Sequence, residues 1–311
     1  MPTRFIAHSR VMRALLEQVL RFALTDSNVL IAGETGTGKN AVARELHARG
    51  GRARAPFVTI DCAALTGSLI DSELFGHERG AFTDAVAARA GRFEVAGAGT
   101  VYLDAVTELP LESQGKLLRI VEEKRIERLG GHTAIPVGAR IVASADARVE
   151  DLVLGGAFRS DLYHRLRVLP LFVPPLRERQ EDVIPFARHF LKRAASAARR
   201  EIPTLTREVA AALRDYAWPG NVRELSHVVE RAMQVAEGNT LTLDHLPAEI
   251  LEAPALHPDG ALARRPTLDE VERRYIVATL HHARGSQTDA AKILGISRKA
   301  LWEKRKRYGL E

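Results

Sequence analysis

The sequence predicts a three-layer α/β domain, followed by a helical domain and by a small helical unit at the C-terminal end. Short apolar runs typical of buried strands alternate with helical stretches over more than a hundred residues, and these runs stop at about residue 180. A proline-containing stretch at 251–266 lacks a periodic apolar face and separates the last unit from the rest. Alternating strands and helices favour a largely parallel sheet with helices on both faces.

The α/β domain is assigned to residues 1–172. Helical apolar spacing predicts one helix at 10–24 and another at 39–49. Short apolar runs bounded by polar residues predict the strands, which lie at 28–32, 57–60, 100–103 and 139–143.

The helical domain is assigned to residues 173–250 and is expected to form a lid on the first domain. Three stretches there have the apolar spacing of helices, namely 181–197, 206–216 and 221–236. Residues 251–266 contain three prolines and are predicted to form a linker. The last unit is assigned to residues 267–311.

A glycine-rich segment that ends in lysine follows the first predicted strand. Residues 33–40 have the sequence GETGTGKN, directly after the apolar run VLIA. This is the pattern of a phosphate-binding loop, because glycine lets a phosphate approach bare backbone N–H groups and lysine supplies a point charge. The helix that begins near Asn40 directs its positive end at the same phosphates. We therefore predict binding of a nucleoside triphosphate by Gly33, Glu34, Thr35, Gly36, Thr37, Gly38, Lys39 and Asn40.

The bulk composition is that of an ordinary globular chain, with 46% hydrophobic and 27% charged residues. No apolar run approaches the roughly 18 residues that a membrane span requires. The first ten residues, MPTRFIAHSR, lack the apolar core of a signal peptide. Cys62 is the only cysteine, which excludes an internal disulfide and a cysteine-based zinc site. We expect no membrane partner and, by default, a cytoplasmic location.

The positive charge is concentrated at the C-terminal end. The segment 284–311 holds eight basic and three acidic residues, a net charge of +5, whereas the whole chain carries +6. Such a basic end on a nearly neutral body favours contact with a polyanion. A solvated, charged helix is the alternative that charge alone leaves open.

A helix-turn-helix pattern supports contact with DNA. Residues 287–294 predict a short helix, Gly295 ends it, and Ser297 is placed to cap a second helix at 298–308. A small core is predicted from Ala291, Leu294, Ile296 and Leu301. A helix of this width fits the major groove of double-stranded DNA. The predicted DNA-binding residues are Arg298, Lys299, Trp302, Lys304 and Arg305; for Trp302, a place in the core stays open as well.

A single acidic residue ends the third predicted strand. Asp104 follows the run TVYL, and an acid at a strand tip beside a phosphate loop is the expected partner of Mg²⁺. A turn residue without a ligand is the alternative for Asp104 taken alone.

Six sequence blocks in this order resemble the bacterial enhancer-binding proteins, the AAA+ ATPases that activate sigma-54 RNA polymerase. The blocks are GETGTGKN, SELFGHERGAFTDA, GTVYLDAVTELP, FRSDLYHRL, PPLRERQEDV and WPGNVREL. The resemblance extends from about residue 4 to 250, and the C-terminal unit resembles the Fis-type helix-turn-helix of the same family.

The resemblance implies roles for individual residues. In such ATPases the site lies between the subunits of a ring, so the resemblance implies a homo-oligomer, either a hexameric ring or a lower oligomer. Arg159 and Arg165 match arginines that reach a neighbour's nucleotide. Arg223 matches the sensor arginine of the lid. Phe82 and Thr83 match the loop that contacts sigma-54. For both Arg159 and Arg165, a structural ion pair is the alternative role.

Several positions depart from the family pattern. The family has glutamate where Ala105 stands, and asparagine where Asp61 and Asp146 face the γ-phosphate. Its GAFTGA loop has glycine where Asp84 stands. Asn40 occupies the place where a general phosphate loop has serine or threonine, although this family usually lacks that hydroxyl too. The lost glutamate orients the attacking water, and Asp61 is a candidate replacement for it.

Two kinds of function follow from the sequence. In the first, an ATP–Mg²⁺-driven oligomer bound to DNA remodels the sigma-54 polymerase. In the second, nucleotide occupancy regulates a DNA-binding protein that hydrolyses ATP slowly or not at all and does not contact sigma-54. Ala105 and Asp84 favour the second, whereas the overall resemblance favours the first. An AAA+ factor for another DNA process is a third, weaker alternative.

Overall fold

The structure is a computed structural model. It describes residues 5–64, 68–82, 85–236, 238–252, 272–273, 275–277, 279–280, 283 and 286–308. Thr83, Asp84 and most of the predicted linker therefore lie outside the described residues. Within the described ranges, no helix is long and apolar enough to cross a membrane.

The first domain is built on a five-stranded sheet in which every pairing is parallel. The strand order is β2-β5-β8-β1-β9. The strands within the described residues are β1 Val29–Ala32, β2 Phe57–Asp61, β3 Gly76–His77, β4 Arg89–Ala90, β5 Thr100–Asp104, β6 Arg125–Ile126, β7 Ile135–Pro136, β8 Arg140–Ala145, β9 Leu169–Phe172, β10 Thr204–Leu205 and β11 Thr240–Leu241.

Helices cover both faces of this sheet. The α-helices named in the text are α1 Arg10–Ala23, α2 Lys39–Arg49, α3 Ser68–Phe75, α4 Arg92–Ala96, α5 Leu111–Glu123, α6 Val149–Leu154, α7 Ser160–Leu166, α8 Val183–Ala198, α9 Arg207–Asp215, α10 Asn221–Val235, α11 Ala248–Glu252, α12 Gln287–Ile293 and α13 Arg298–Arg307. Short 3₁₀ turns lie at Val106–Glu108, Leu176–Glu178, Gln180–Asp182 and Leu243–His245.

Two apolar cores flank the sheet, as the alternation of side chains along a strand requires. Val29 and Ile31 of β1 pack with α1 and α2, whereas Leu30 packs on the opposite face with residues of α5 and α7. The three-layer α/β architecture predicted from the sequence is therefore confirmed. The four predicted strands correspond to β1, β2, β5 and β8.

The sequence did not predict β9 or the short strand pairs. β9 is an edge strand that pairs only with β1, and it contains Pro170, which a central strand rarely tolerates. The expectation that strands stop at about residue 180 is wrong, because β10 and β11 pair inside the lid. A two-residue strand is too short to show an alternating pattern, and tertiary pairing alone creates it.

The lid is a separate helical cluster formed by α8 to α11, and its three long helices lie where the sequence predicted them. Its core is centred on Trp218, which is fully buried and donates from Nε1 to the Leu213 carbonyl at 2.8 Å. The boundary between the two domains falls in the chain that leads from β9 to α8.

The C-terminal unit has the predicted helix-turn-helix geometry. Ser286 caps α12 and Ser297 caps α13, each accepting a backbone N–H with its side chain. Gly295 ends α12 with φ +64°, a left-handed conformation that favours glycine. The core contains the four predicted residues, Ala291, Leu294, Ile296 and Leu301. It also contains residues that the sequence did not predict, namely Ile276, Leu280, Ala283, Ala290 and Tyr308.

Candidate nucleotide site and DNA-binding helix

The predicted phosphate loop connects the carboxyl end of β1 to the amino end of α2. Gly36 and Gly38 adopt φ of +80° and +101°, and the Thr37 hydroxyl donates to the Glu34 carbonyl at 2.8 Å. The Lys39 ammonium donates to the carbonyls of Gly33 and Glu34 at 2.6 and 3.1 Å. The loop is therefore held in a closed turn by its own side chains, with the positive end of α2 behind it.

Charged groups from four elements surround Lys39. Burial lowers the pKa of its ammonium, and the carboxylates of Asp104 and Asp146 oppose that shift, whereas Arg223 adds to it. The fold thus brings together the phosphate loop, the ends of β5 and β8, and the lid. A cleft of ≈ 600 Å³ opens at this junction, with Glu34, Thr35, Asp146, Gly220 and Arg223 on its walls.

Asp104 is oriented by two hydroxyl groups. Its Oδ1 accepts hydrogen bonds from Tyr102 at 3.0 Å and from Ser144 at 2.7 Å. Since one carboxylate oxygen carries both contacts, the side chain is held in one rotamer at the end of β5. A fixed carboxylate of this kind suits Mg²⁺, which usually takes one or two carboxylates and completes its shell with phosphate oxygens and water.

Ala105 occupies a constrained position directly after Asp104. Its φ is +54°, in the left-handed region, and its backbone N–H donates to the Ser144 hydroxyl at 3.0 Å. Ser144 therefore orients both Asp104 and the backbone of Ala105. The methyl group of Ala105 has neither charge nor hydrogen-bonding capacity, so it cannot orient a water molecule.

The two other acidic departures lie at the same edge of the sheet. Asp61 ends β2 and pairs in register with Asp104, and its carboxylate accepts the Ala63 N–H at 3.0 Å. Asp146 follows β8 and lies on the cleft wall, where it accepts the Arg148 N–H at 3.0 Å. Asn40 points elsewhere, because its Oδ1 accepts from Arg44 Nε at 2.8 Å along α2.

Arg159 and Arg165 bond to residues of their own surface rather than to the phosphate loop. Arg159 pairs with Asp161 at 2.7 Å, and Arg165 of α7 pairs with Glu122 of α5 at 2.9 Å. Both guanidinium groups are exposed. Surface pairs of this type contribute little to stability and exchange readily for another anion.

The base of the predicted polymerase-contact loop is ordered by local contacts. Phe82 packs against the His77 ring at 5.0 Å, and His77 in turn bonds to the Ser72 hydroxyl at 2.8 Å. The N–H of Ala85 donates to the Phe82 carbonyl at 2.9 Å. Thr83, the second predicted contact residue, lies outside the described part of the chain.

Sequence reasoning missed the residues that join the lid to the phosphate loop. Arg177 forms a two-point ion pair with Glu34 at 2.6 and 2.9 Å. Arg179 is almost fully buried and donates to the Thr37 carbonyl at 2.6 Å, and burial lowers the pKa of its guanidinium to about 10. Asp182 accepts three hydrogen bonds from His8 and Ser9, which anchors the start of α1. These residues lie in the block PPLRERQEDV, which supported the family resemblance but did not indicate a role for any single residue.

The second helix of the C-terminal unit presents several of the predicted DNA-binding side chains to solvent. Arg298 and Lys299 at its start are exposed. Trp302 is 55% exposed, with the Lys306 ammonium 5.4 Å from its ring centre. Trp302 therefore lies on the surface and not in the small core, and its contact with DNA stays a prediction. Lys304 pairs with Glu272 within the same unit, and Arg305 is half-buried.

Fold and site together define a class of protein. A phosphate loop that follows β1, the strand between β8 and β9 in a parallel β2-β5-β8-β1-β9 sheet, closed by a helical lid, is the ATP-binding module of the AAA+ class. The helix-turn-helix adds a DNA-binding domain.

Three family models match the chain along its length. The sigma-54 interaction domain matches residues 5–172, the AAA+ ATPase lid domain 177–261, and the bacterial regulatory proteins of the Fis family 267–308. The chain belongs to the family of sigma-54-dependent transcriptional activators.

Individual relatives and solved structures agree with this assignment. The chain is 41% identical to the regulatory protein AtoC of Escherichia coli K12, covering 98% of this chain and 68% of AtoC. It is 41% identical to the nitrogen fixation protein VnfA of Azotobacter vinelandii, covering 99% of this chain and 59% of VnfA. The crystal structure of NtrX from Brucella abortus with ADP superposes with a TM-score of 0.76 at 34% identity, covering 99% of this chain and 70% of NtrX. NtrX has also been solved with ATP, with the same TM-score and identity over 98% of this chain and 70% of NtrX.

Proposed function

We propose that this protein is a DNA-bound regulator whose ATP–Mg²⁺ state controls its action on sigma-54 RNA polymerase. The observation that carries the proposal is that Asp104, Asp146 and Arg223 all lie within electrostatic range of Lys39, with Asp146 and Arg223 on the wall of a cleft between the α/β domain and the lid. A ligand that bridges these groups links the position of the lid to the presence of the outer phosphate. Phe82, at the base of the polymerase-contact loop, belongs to the same α/β domain.

Asp104 and the phosphate loop are the groups that would hold ATP–Mg²⁺. The metal, when bound, neutralises charge that develops on the phosphate oxygens. The chain's own contribution is to orient: Tyr102 and Ser144 fix the Asp104 carboxylate, and the backbone amide groups of residues 36–39 would donate to the phosphates.

Slow hydrolysis is part of the proposal, because the carboxylate that should orient the attacking water is absent at Ala105. General acid–base groups typically contribute about 10²–10⁴ to a rate. The presence of bound ATP, more than rapid hydrolysis, is therefore proposed to control the state of the protein. Asp61, which ends the neighbouring strand β2 in register with Asp104, is the candidate for any residual water activation.

Assembly into a ring is supported by the exposed Arg159 and Arg165. Each arginine is in a weak surface ion pair with a carboxylate. Each can therefore leave that carboxylate and bind the phosphates of a nucleotide on a second subunit. A homo-oligomer in which α7 of one subunit faces the phosphate loop of the next would complete the site, and a hexamer is the form that the family resemblance implies.

Calorimetry with purified protein tests the proposal. ATP with Mg²⁺ is expected to bind wild type with a dissociation constant in the micromolar range, and Lys39→Ala is expected to weaken binding by about 100-fold, equal to about 2.7 kcal/mol. Sedimentation of the same samples should show association only when ATP–Mg²⁺ is present. Absence of heat with ATP or ADP at millimolar concentration would refute nucleotide binding. An unchanged sedimenting mass on addition of ATP–Mg²⁺ would refute ATP-driven assembly but not nucleotide binding.

Recognition of DNA is proposed to depend on the exposed face of α13. Arg298 and Lys299 are placed for base edges at the start of the helix, and Trp302 adds an apolar surface beside them. Lys304 contributes less than its sequence position suggested, because its ammonium already pairs with Glu272.

We expect Trp302→Ala to weaken DNA binding about tenfold, or about 1.4 kcal/mol, while the C-terminal unit stays folded. The reason is that Trp302 lies outside the core, whereas its neighbour Leu301 is fully buried. Fluorescence anisotropy on duplexes selected by wild type from a random-sequence pool measures the effect, and Leu301→Ala is the contrasting variant. A fall in helix content for Trp302→Ala as large as for Leu301→Ala would show that Trp302 acts through folding.

A further inference from the structure

Asn221 is a buried polar residue at the junction of the lid and the phosphate loop. It is fully shielded from solvent and is the first residue of α10. Its Oδ1 accepts the Leu176 N–H at 2.7 Å, and its Nδ2 donates to the Thr35 carbonyl and to a Glu34 carboxylate oxygen, both at 3.1 Å. One amide side chain therefore bonds to the chain entering the lid and to two residues of the phosphate loop.

The backbone at this point reinforces the same contact. Asn221 has φ +54°, a conformation that asparagine and glycine tolerate better than other residues. The N–H of Val222, in the first turn of α10, donates to the Gly36 carbonyl at 3.0 Å. A side chain on Gly36 would meet the Gly220 carbonyl oxygen at 2.3 Å, which shows how closely the two backbones approach.

Arg223 emerges from this junction two residues later. Its side chain lies on the cleft wall and within electrostatic range of Lys39. The direction of an arginine on the first turn of a helix depends on where that turn is anchored. Here the anchor is the Asn221 amide on one side and the Val222 N–H on the other, and both bond to the phosphate loop.

We propose that Asn221 is a positioning residue, which holds the first turn of α10 against the phosphate loop so that Arg223 meets the terminal phosphate of ATP. The inference rests on the proposed binding of ATP and adds the residue that makes the lid arginine sensitive to that phosphate. Glu34 takes part in the same contact, because its carboxylate bonds to both Arg177 and the Asn221 amide.

The test compares the affinities for ATP and ADP in Asn221→Gly. Glycine accepts the same left-handed backbone, so the substitution removes the buried amide side chain and its hydrogen bonds without adding backbone strain. We expect the preference for ATP over ADP to fall about tenfold, while ADP affinity changes little, because ADP lacks the phosphate that Arg223 meets. The matched control is Asn239→Gly, which removes an exposed asparagine amide of the lid that bonds to Glu201; its ATP preference should equal that of wild type.

A double-mutant cycle identifies the route of the effect. If Asn221 acts through Arg223, adding Asn221→Gly to Arg223→Ala causes no further loss of ATP preference. Asn221→Asp provides a second variant, since it keeps the size of the side chain but places a carboxylate against Glu34, and it should lose the preference as Asn221→Gly does.

Three results would overturn the inference. Equal losses of ATP and ADP affinity in Asn221→Gly would mean that Asn221 only supports the fold. Additive losses in the double variant would mean that it acts independently of Arg223. If wild type binds neither nucleotide, the proposed function fails and the inference falls with it, whereas the first two results leave ATP binding by wild type intact.

Discussion

Replacing Ala105 with glutamate should raise the rate of ATP hydrolysis by about 10²–10⁴-fold, which is the usual contribution of a group that orients or deprotonates the attacking nucleophile. The introduced carboxylate follows directly on Asp104, whose side chain is already fixed by Tyr102 and Ser144. Steady-state phosphate release by purified protein with Mg²⁺ measures the effect. Lys39→Ala in the wild-type chain gives the blank.

The backbone at position 105 does not oppose this substitution. Alanine and glutamate both carry a Cβ, so the strain of φ +54° is the same in either, and the hydrogen bond from the backbone N–H to Ser144 is unaffected. Ala105→Gln is the matched control, because it has the same length without the carboxylate. Equal rates in Ala105→Glu and Ala105→Gln would contradict the prediction, as would wild-type turnover far above the Lys39→Ala blank.

The variant Asp61→Asn tests whether the Asp61 carboxylate replaces the glutamate that is absent at position 105, with the ATP hydrolysis rate as the measurement. Asp61 and Asp104 end adjacent strands in register, so the Asp61 carboxylate is at the correct edge of the sheet. If Asp61 activates water, measurable wild-type turnover should collapse to the blank in Asp61→Asn. Turnover absent from both proteins would exclude this role.

Gly36→Ala should separate the lid from the phosphate loop. The added Cβ would lie 2.3 Å from the Gly220 carbonyl oxygen and 3.2 Å from Arg223 Cβ, so the start of α10 must move. Overpacking of this kind costs about 1–3 kcal/mol, in addition to the about 1–2 kcal/mol of a non-glycine residue in the left-handed region. We expect a lower melting temperature and at least about tenfold weaker ATP binding.

Gly156→Ala is the control for backbone strain. Gly156 has φ +75°, close to the +80° of Gly36, but an added Cβ there meets no atom within 4 Å. The difference between the two variants therefore measures the steric contact with the lid. The prediction is wrong if Gly36→Ala and Gly156→Ala lower the melting temperature equally and Gly36→Ala keeps wild-type affinity for ATP. The close approach of the lid to the phosphate loop would then not contribute to ATP binding.

The local sequence pattern was sufficient to predict the features that depend on residues close together in the chain. The glycines and lysine of residues 33–40, the strand ending at Asp104 and the serine caps of the C-terminal helices act through residues within a few positions, so spacing alone predicted them. The buried strands β1, β5 and β8 were predicted for the same reason. Their continuous apolar runs reflect burial by helices on both faces of the sheet.

Features that depend on distant segments were decided only by the tertiary structure. β9 forms because β1 offers an open edge, and Trp302 is exposed because Leu301 occupies the small core. The bonds of Arg177, Arg179 and Asn221 to the phosphate loop join residues 142 to 187 positions apart. Sequence spacing holds no information on such contacts, because they arise only when the lid folds back over β1. The sequence by itself therefore predicted a phosphate-binding loop, and the packing of the lid decided which residues surround that loop.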